Sequence, residues 1–261
     1  MNKDLEEKYL SVIEDNVNVG KSNVGVEFVI LILGIAAIFG MVYIFADNIS
    51  NLFIDKMSTE TQMKIENSIS SNVSLDIDKN SKHVKKLNEL RDKIISLDPE
   101  LQNKSSFKIF EVKNKEINAF VIPNGTIYFT SGLLNKINDE ETLAFILAHE
   151  MGHYAHRDHL KSISRDIIVY TLTSIFSNNQ QNVNMTLNSI SGLHALKYSR
   201  NQERNADRYA NTVVYKLYGN NNGAVKFFEF LEKEEKTPEF LQYFSTHPST
   251  IQRLKLIQQE R

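Results

Sequence analysis

The chain has 261 residues, 41% of them hydrophobic and 24% charged, with a formal net charge of -2 and no cysteine. That length is enough to bury a sizeable core and suits one catalytic domain plus an appendage. The near-neutral charge, with no basic patch, removes nucleic acid from the expected partners; the lack of thiols excludes disulfides and leaves nitrogen and oxygen ligands for any metal.

The first predicted element is a membrane span. Phe28 to Ala46 carries no charged residue. At ~1.5 Å per residue it reaches roughly 28 Å, close to the ~30 Å hydrocarbon core of a bilayer. It is apolar on all faces, so it is not an amphipathic surface helix. A buried core helix is the bland alternative. A cleaved signal peptide fits worse, because the preceding residues are net acidic and Ala46-Asp47-Asn48 is a poor cleavage site. Residues 1–27 are then an N-terminal tail. Lys and Arg nearly balance at the two ends of the span; the orientation taken is a short tail inside and an extracytoplasmic large domain.

Residues 47–100 read as a connector and helices ahead of a main domain over 101–261. Asp47 to Met57 is expected to be the juxtamembrane connector. Ser58-Thr59-Glu60 opens a helical stretch behind polar capping residues. Ser70 to Asn80 is polar and reads as a loop. Val84, Leu87, Leu90, Ile94 and Ile95 recur at helical spacing within His83 to Leu97. Phe107 to Val112 alternates like a strand. Ile117 to Ile122, Pro123-Asn124-Gly125 and Thr126 to Thr130 read as a β-hairpin with a glycine turn. Asn138 to about His156 is predicted helical, with Asn138 as cap and Glu141 in capping-box position. Ile167 to Phe176 is apolar but too short to span a bilayer. Gln180 to Asn188 reads as a loop, Leu193 to Lys216 and Ala224 to Lys233 as helices. Thr237-Pro238 breaks the chain, and a last helix starts near Thr250. Few prolines and glycines agree with this tally: mainly α with a small β-sheet (α+β).

The chemistry lies on the long helix. His149 and His153 are four residues apart, so ~400° of rotation puts both rings on one face, one turn apart. Both can point at one metal. Glu150 sits ~100° round, where it can reach a water without being a ligand. Zinc lowers the pKa of bound water to ~7, and a neighbouring carboxylate can take the proton, which is the content of the H-E-x-x-H pattern. Gly152 inside the pattern costs helix stability of ~1 kcal/mol relative to Ala, so close packing against the backbone is expected there.

Two histidines need a third ligand. His159 fits metzincin spacing, but that motif has a glycine where this chain has His156, which does not take a positive φ cheaply. Glu203, in Glu203-Arg204-Asn205-Ala206-Asp207, is the favoured candidate, from a second helix. Asp207, one turn on, is placed to accept a hydrogen bond from a ligand histidine. Taken alone, Glu203 and Asp207 would read as a solvated face among Arg200, Arg204 and Arg208. A di-iron site fails, because Glu150-x-x-His153 has no second copy. His83 and His194 read as surface or core histidines, and His156 and His159 as lying on a polar helix end.

His149-Glu150-Met151-Gly152-His153, followed by Tyr198-Ser199-Arg200 and Glu203 through Asp207, resembles the membrane-associated metallopeptidases of the HtpX and CAAX-prenyl-protease type, metallopeptidase family 48. The segment Asn118 to Gly125 with Gly132-Leu133-Leu134, and Thr246-His247-Pro248-Ser249 with Arg253, share the resemblance, which covers roughly residues 100 to 256. It implies a gluzincin fold, one Zn2+, Glu203 as third ligand, and endopeptidase activity on misfolded or membrane-linked proteins. It implies that Asn118, Ala119 and Phe120 bind substrate backbone as an edge strand, against ordinary sheet packing. It gives His247 three possible parts: holding the oxyanion, swinging toward the zinc, or fixing a His-Pro turn. The chain has one span where the best-known members have several, so a single-anchor quality-control protease in contact with the bilayer fits better than a prenyl-protein protease. A non-catalytic anchored binding module and a structural zinc protein are the competing classes.

Overall fold

The computed structural model describes residues 3–14, 23–71, 73–98, 101, 107–177 and 197–234, with Tyr243, Thr246, His247 and Arg253. The loop expected over 180–188, His194, Thr237-Pro238, Pro248-Ser249 and the helix start at Thr250 lie outside these residues. The chain divides into two compact units, Met1–Phe45 and Ala46–Arg261.

Helix α1 covers Lys3–Glu14 and α2 covers Val24–Asp55. By length and composition α2 is able to cross a membrane. It outruns the apolar stretch, so the expected connector is helical through Asp55. The reason is a stripe at a spacing of four. Ala46, Ser50 and Ile54 are all buried, and this favours continuing the helix over ending it.

In the second unit α3 spans Thr59–Ser70, capped by Ser58, whose hydroxyl accepts from the Thr61 amide. Helix α4 spans Lys82–Leu97 and buries Leu87, Leu90 and Ile94, the predicted stripe. Strands β1 (Lys108–Val112), β2 (Ala119–Val121) and β3 (Thr126–Thr130) form one sheet in the order β1-β3-β2. β1 runs parallel to β3, and β2 pairs with β3 as the predicted hairpin. Gly125 takes φ 81° in its turn, a conformation glycine adopts without strain. Residues 76–78 line the outer side of β1: the Asp78 amide donates to Glu111 and the Lys113 amide to Asp76. β2 is the other edge.

Helix α5 spans Ser131–Lys136, α6 Glu140–Ala155, α7 Asp158–Ser177, α8 Arg200–Tyr218 and α9 Asn222–Glu234. The cap of α6 is Asp139, not the expected Asn138. The Asp139 carboxylate accepts from both the amide and the hydroxyl of Thr142. A carboxylate suits the positive helix end better than a neutral amide. Helix α8 starts at Arg200, later than the expected Leu193. Ser199 stops it with a reciprocal capping box to Gln202.

Helix α6 is the centre of the domain. Thr142 through Tyr154 are all buried, so it is enclosed rather than one-faced. Phe145 packs with Phe227 and Phe228 of α9. Helix α8 crosses close at Gly152, where an added Cβ would lie 3.1 Å from the Tyr209 ring and 3.4 Å from the Ala206 Cα. This is the close packing expected from that glycine. The architecture is mainly α with a small mixed sheet, and α6 lies between the sheet and α8.

Candidate active site

Helix α6 presents His149 and His153 one turn apart, as the spacing requires. Their Nε2 atoms are 3.1 Å apart. Helix α8, lying against α6, brings Glu203 to them. Its Oε1 is 3.3 Å from His153 Nε2, and its Oε2 is 3.6 Å from His149 Nε2. His247 completes the cluster, with Nδ1 2.9 Å from Glu203 Oε1 and 3.5 Å from His149 Nε2. Four donor atoms from these residues all lie within 4.8 Å of one another. None of the four residues is more than 2% exposed.

The far nitrogens of the two α6 histidines meet carboxylates. His149 Nδ1 is 3.1 Å from Asp207 Oδ1. His153 Nδ1 donates to Asp158 Oδ2 at 2.9 Å. Both contacts leave Nε2 facing the cluster, the arrangement that orients metal-binding imidazoles. Three imidazoles and a carboxylate, with no thiolate, fit a divalent cation that accepts nitrogen and oxygen donors.

Charge is arranged to the same end. Burial opposes the charge of Glu203, but Arg253, His247 and His153 outweigh it and hold the carboxyl well below its ordinary range. Arg253 Nη1 is 2.6 Å from Glu203 Oε2, while Nε and Nη2 donate to Asp207 at 2.7 Å each. Burial pushes His149 down to about 4, against Asp207, so its ring is neutral at pH 7. Burial also works against a charged His153, but Asp158 and Glu203 raise it to about 10. A cation entering the cluster therefore competes with a proton. Burial pushes the Glu150 carboxyl up, opposed by His247 and His153. Glu150 stays outside the donor cluster, and its Oε2 accepts the Val121 amide of β2 at 3.1 Å.

The profile of Peptidase family M48 matches residues 84–261. The chain belongs to that family. Among curated relatives, mitochondrial metalloendopeptidase OMA1 of Bos taurus is 31% identical over 157 residues, covering 54% of this chain and 30% of the relative. Mitochondrial metalloendopeptidase OMA1 of Schizosaccharomyces pombe is 27% identical over 158 residues, 59% of this chain and 46% of the relative. Protease HtpX of Legionella pneumophila (strain Lens) is 27% identical over 192 residues, 56% of this chain and 68% of the relative. The chain thus spans less than half of the length of these two OMA1 relatives.

Within this M48 domain, the residues expected at the site come together: His149, Glu150, His153, Glu203, Asp207 and His247. Asn118, Ala119 and Phe120 lie along and just before β2, next to the amide that holds Glu150. His159 does not join them, nor does it sit on a polar helix end. The chain reverses at His156 and Arg157, with the positive φ (57°) at Arg157. His159 then falls in the first turn of α7, fully buried. It stacks on Tyr154 and lies 3.1 Å from Glu66 Oε1. Glu66 supplies the polar partner that makes this burial tolerable.

Three M48-site residues were given no role by the sequence. Asp158 was legible only as an acid just past the helix end, five residues after His153. Arg253 and Tyr198 occur in the shared motifs but reveal no partner there. Tyr198 stacks on His153 with centroids 3.8 Å apart and planes 11° apart.

Proposed function

We propose that the protein is a membrane-anchored zinc endopeptidase that cleaves unfolded or membrane-associated proteins. The single observation carrying this reading is the convergence of His149, His153 and Glu203 beside a carboxylate, Glu150, that is held out of the donor set by β2. His149, His153 and Glu203 would hold the zinc, which when bound acidifies water and polarises a carbonyl. The other tasks fall to the chain. Glu150 takes a proton from the attacking water and returns it to the leaving amine. Asp207 and Asp158 keep the two imidazoles in the tautomer that turns Nε2 inward. Helix α2 ties the enzyme to the bilayer.

The edge strand positions the substrate in this reading. The Ile122 amide and the Thr130 amide carry the ladder between β2 and β3, so by alternation Ala119 and Val121 turn their backbone groups outward. A peptide that adds there as a strand meets Ala119 beside Glu150. Asn118 is buried, and its Oδ1 finds no partner among the described residues, as expected of an acceptor reserved for a ligand. The Asn118→Ala variant should keep its metal and its melting temperature while kcat/KM on a casein-derived peptide falls about tenfold, one hydrogen bond's worth. Unchanged kcat/KM would return Asn118 to a packing role.

The deciding experiment uses the full chain in detergent. Casein cleavage should stop on treatment with a zinc chelator and return with one equivalent of Zn2+. A protein that binds one zinc yet never cleaves is the non-catalytic binding module instead.

A further inference from the structure

The net charge of -2 conceals a local concentration of the opposite sign. Residues 79–88 hold four lysines and no acid, so the expectation of no basic patch, drawn from the whole chain, fails here. Three of these lysines, Lys82, Lys85 and Lys86, lie at the start of α4, whose first turn has no acidic residue. That is the positive end of the helix dipole, where cations are unfavourable and an anion is favoured.

The fold adds to this charge. A groove of about 550 Å³ lies between α4, residues 77–79 and β1, a size that suits a small ligand. Lys79, Lys85, Arg91 and Lys108 line it, against one acid, Asp78. Arg91 is already engaged: it pairs with Asp92 at 2.8 Å and donates to the Phe107 carbonyl at 2.9 Å. The three lysines are different. Each is exposed, and none of their ammonium groups has an ion pair or hydrogen bond among the described residues. Asp78 Oδ1 accepts the Asn80 amide. Glu111 of β1 is taken by Ser81 and His83 and is not in the lining. Ile77, Val84, Ile109 and Phe110 supply an apolar wall beside the cations. The groove is apart from the metal cluster. It lies at the β1 edge, and β3 separates β1 from β2, the strand beside Glu150. Three uncommitted ammonium groups call for an anion with several acceptor oxygens, and the apolar wall calls for carbon attached to it. A phosphate ester has both.

We propose that the groove between α4 and β1 binds a phosphate ester, its oxygens held by Lys79, Lys85 and Lys108 and its adjoining carbons by the apolar wall. Two sources offer this chemistry, an anionic phospholipid headgroup and a soluble organic phosphate. In a domain tied to a bilayer through α2, the first is present at the higher effective concentration.

Calorimetry tests it without relying on turnover. The full chain in a neutral maltoside detergent is titrated with dihexanoyl phosphatidylglycerol and, separately, with sn-glycerol 3-phosphate. Saturable binding of either supports the proposal, and the tighter of the two identifies the source. Added salt should weaken it. The triple variant Lys79→Gln, Lys85→Gln, Lys108→Gln should lose affinity by on the order of 100-fold, roughly fivefold for each lysine. Its melting temperature without ligand should hold or rise, because like charges are removed from one place, and this separates lost binding from unfolding. If it does not fold, Lys85→Gln alone replaces it, with a loss of about fivefold. A second triple variant, Lys64→Gln, Lys216→Gln, Lys233→Gln, removes the same charge outside the lining and should bind as the parent does. The proposal is overturned if neither ligand saturates, if the two triple variants lose affinity equally, or if an oligoglutamate peptide competes as well as the phosphate compounds do.

Discussion

Glu150→Gln is expected to leave one zinc per chain and to lower casein cleavage by ~10²–10⁴-fold, the usual contribution of a general base. The two properties separate because Glu150 lies in the same helix as His149 and His153 but outside the donor cluster. Gln has the same shape, and its amide oxygen can still accept the Val121 amide that fixes Glu150 at 3.1 Å. What it lacks is a site for a proton. Burial already pushes the Glu150 carboxyl upward, so the native group is poised to take one up. The substitution also exchanges an ionisable group that is 1% exposed for a neutral one. The melting temperature should therefore hold or rise. Metal content by atomic absorption, melting and cleavage rate are measured on one preparation. Full cleavage by the variant would sink the assignment of Glu150 as base, whatever the metal content.

Arg253→Met should carry the largest stability cost. The guanidinium fork faces two buried carboxylates, Asp207 through Nε and Nη2 and Glu203 through Nη1. Methionine fills much of the same space and still lies against Phe228, over which the guanidinium now sits at 5.3 Å. The packing loss is therefore small, and the measured effect is mainly that of the charge. Breaking a buried pair from one side costs ~3–5 kcal/mol. Urea unfolding of the metal-free protein reads this directly, because a bound cation would partly replace the missing charge. Metal affinity should fall as well, by roughly 10–100-fold, since Glu203 loses its anchor and Asp207 loses the grip that orients His149. Arg253→Lys restores one charge without the planar fork, and recovery should be partial. A methionine variant that unfolds at the same urea concentration as the parent would show that the pair contributes nothing.

Much of the centre could be read in the chain because its parts are local. His149, Glu150 and His153 lie within two turns of one helix, and a period of 3.6 fixes their directions. Glu203 and Asp207 have the same property on α8. The hairpin was legible from alternation around Pro123-Asn124-Gly125. What escaped is tertiary. Asp158 reaches His153 only because the chain reverses at His156 and Arg157, and the left-handed Arg157 carries no sequence mark such as a glycine. Arg253 meets Asp207 across 46 positions, a distance over which no periodicity speaks. His159, expected on a polar helix end, is buried instead, because its partner, Glu66, sits 93 residues earlier on α3. The end of α2 was misplaced for a different reason. Charge marked where the apolar run stops, but the helix is continued by the stripe Ala46, Ser50 and Ile54, and only one of these three is a large apolar residue.

The amide that steadies Glu150 would also govern how a peptide strand added to β2 aligns. Val121 gives its N–H to the Glu150 carboxylate, so along this part of β2 only Ala119 still offers an outward donor. A strand docking there finds an alternation with one rung missing. Sliding it by two residues would leave one of its carbonyls facing a donor already in use. If a peptide adds to β2 as proposed, the group that holds Glu150 in place would also set the peptide's reading frame, and the bond to be cut would be chosen by the backbone before any side-chain pocket is consulted.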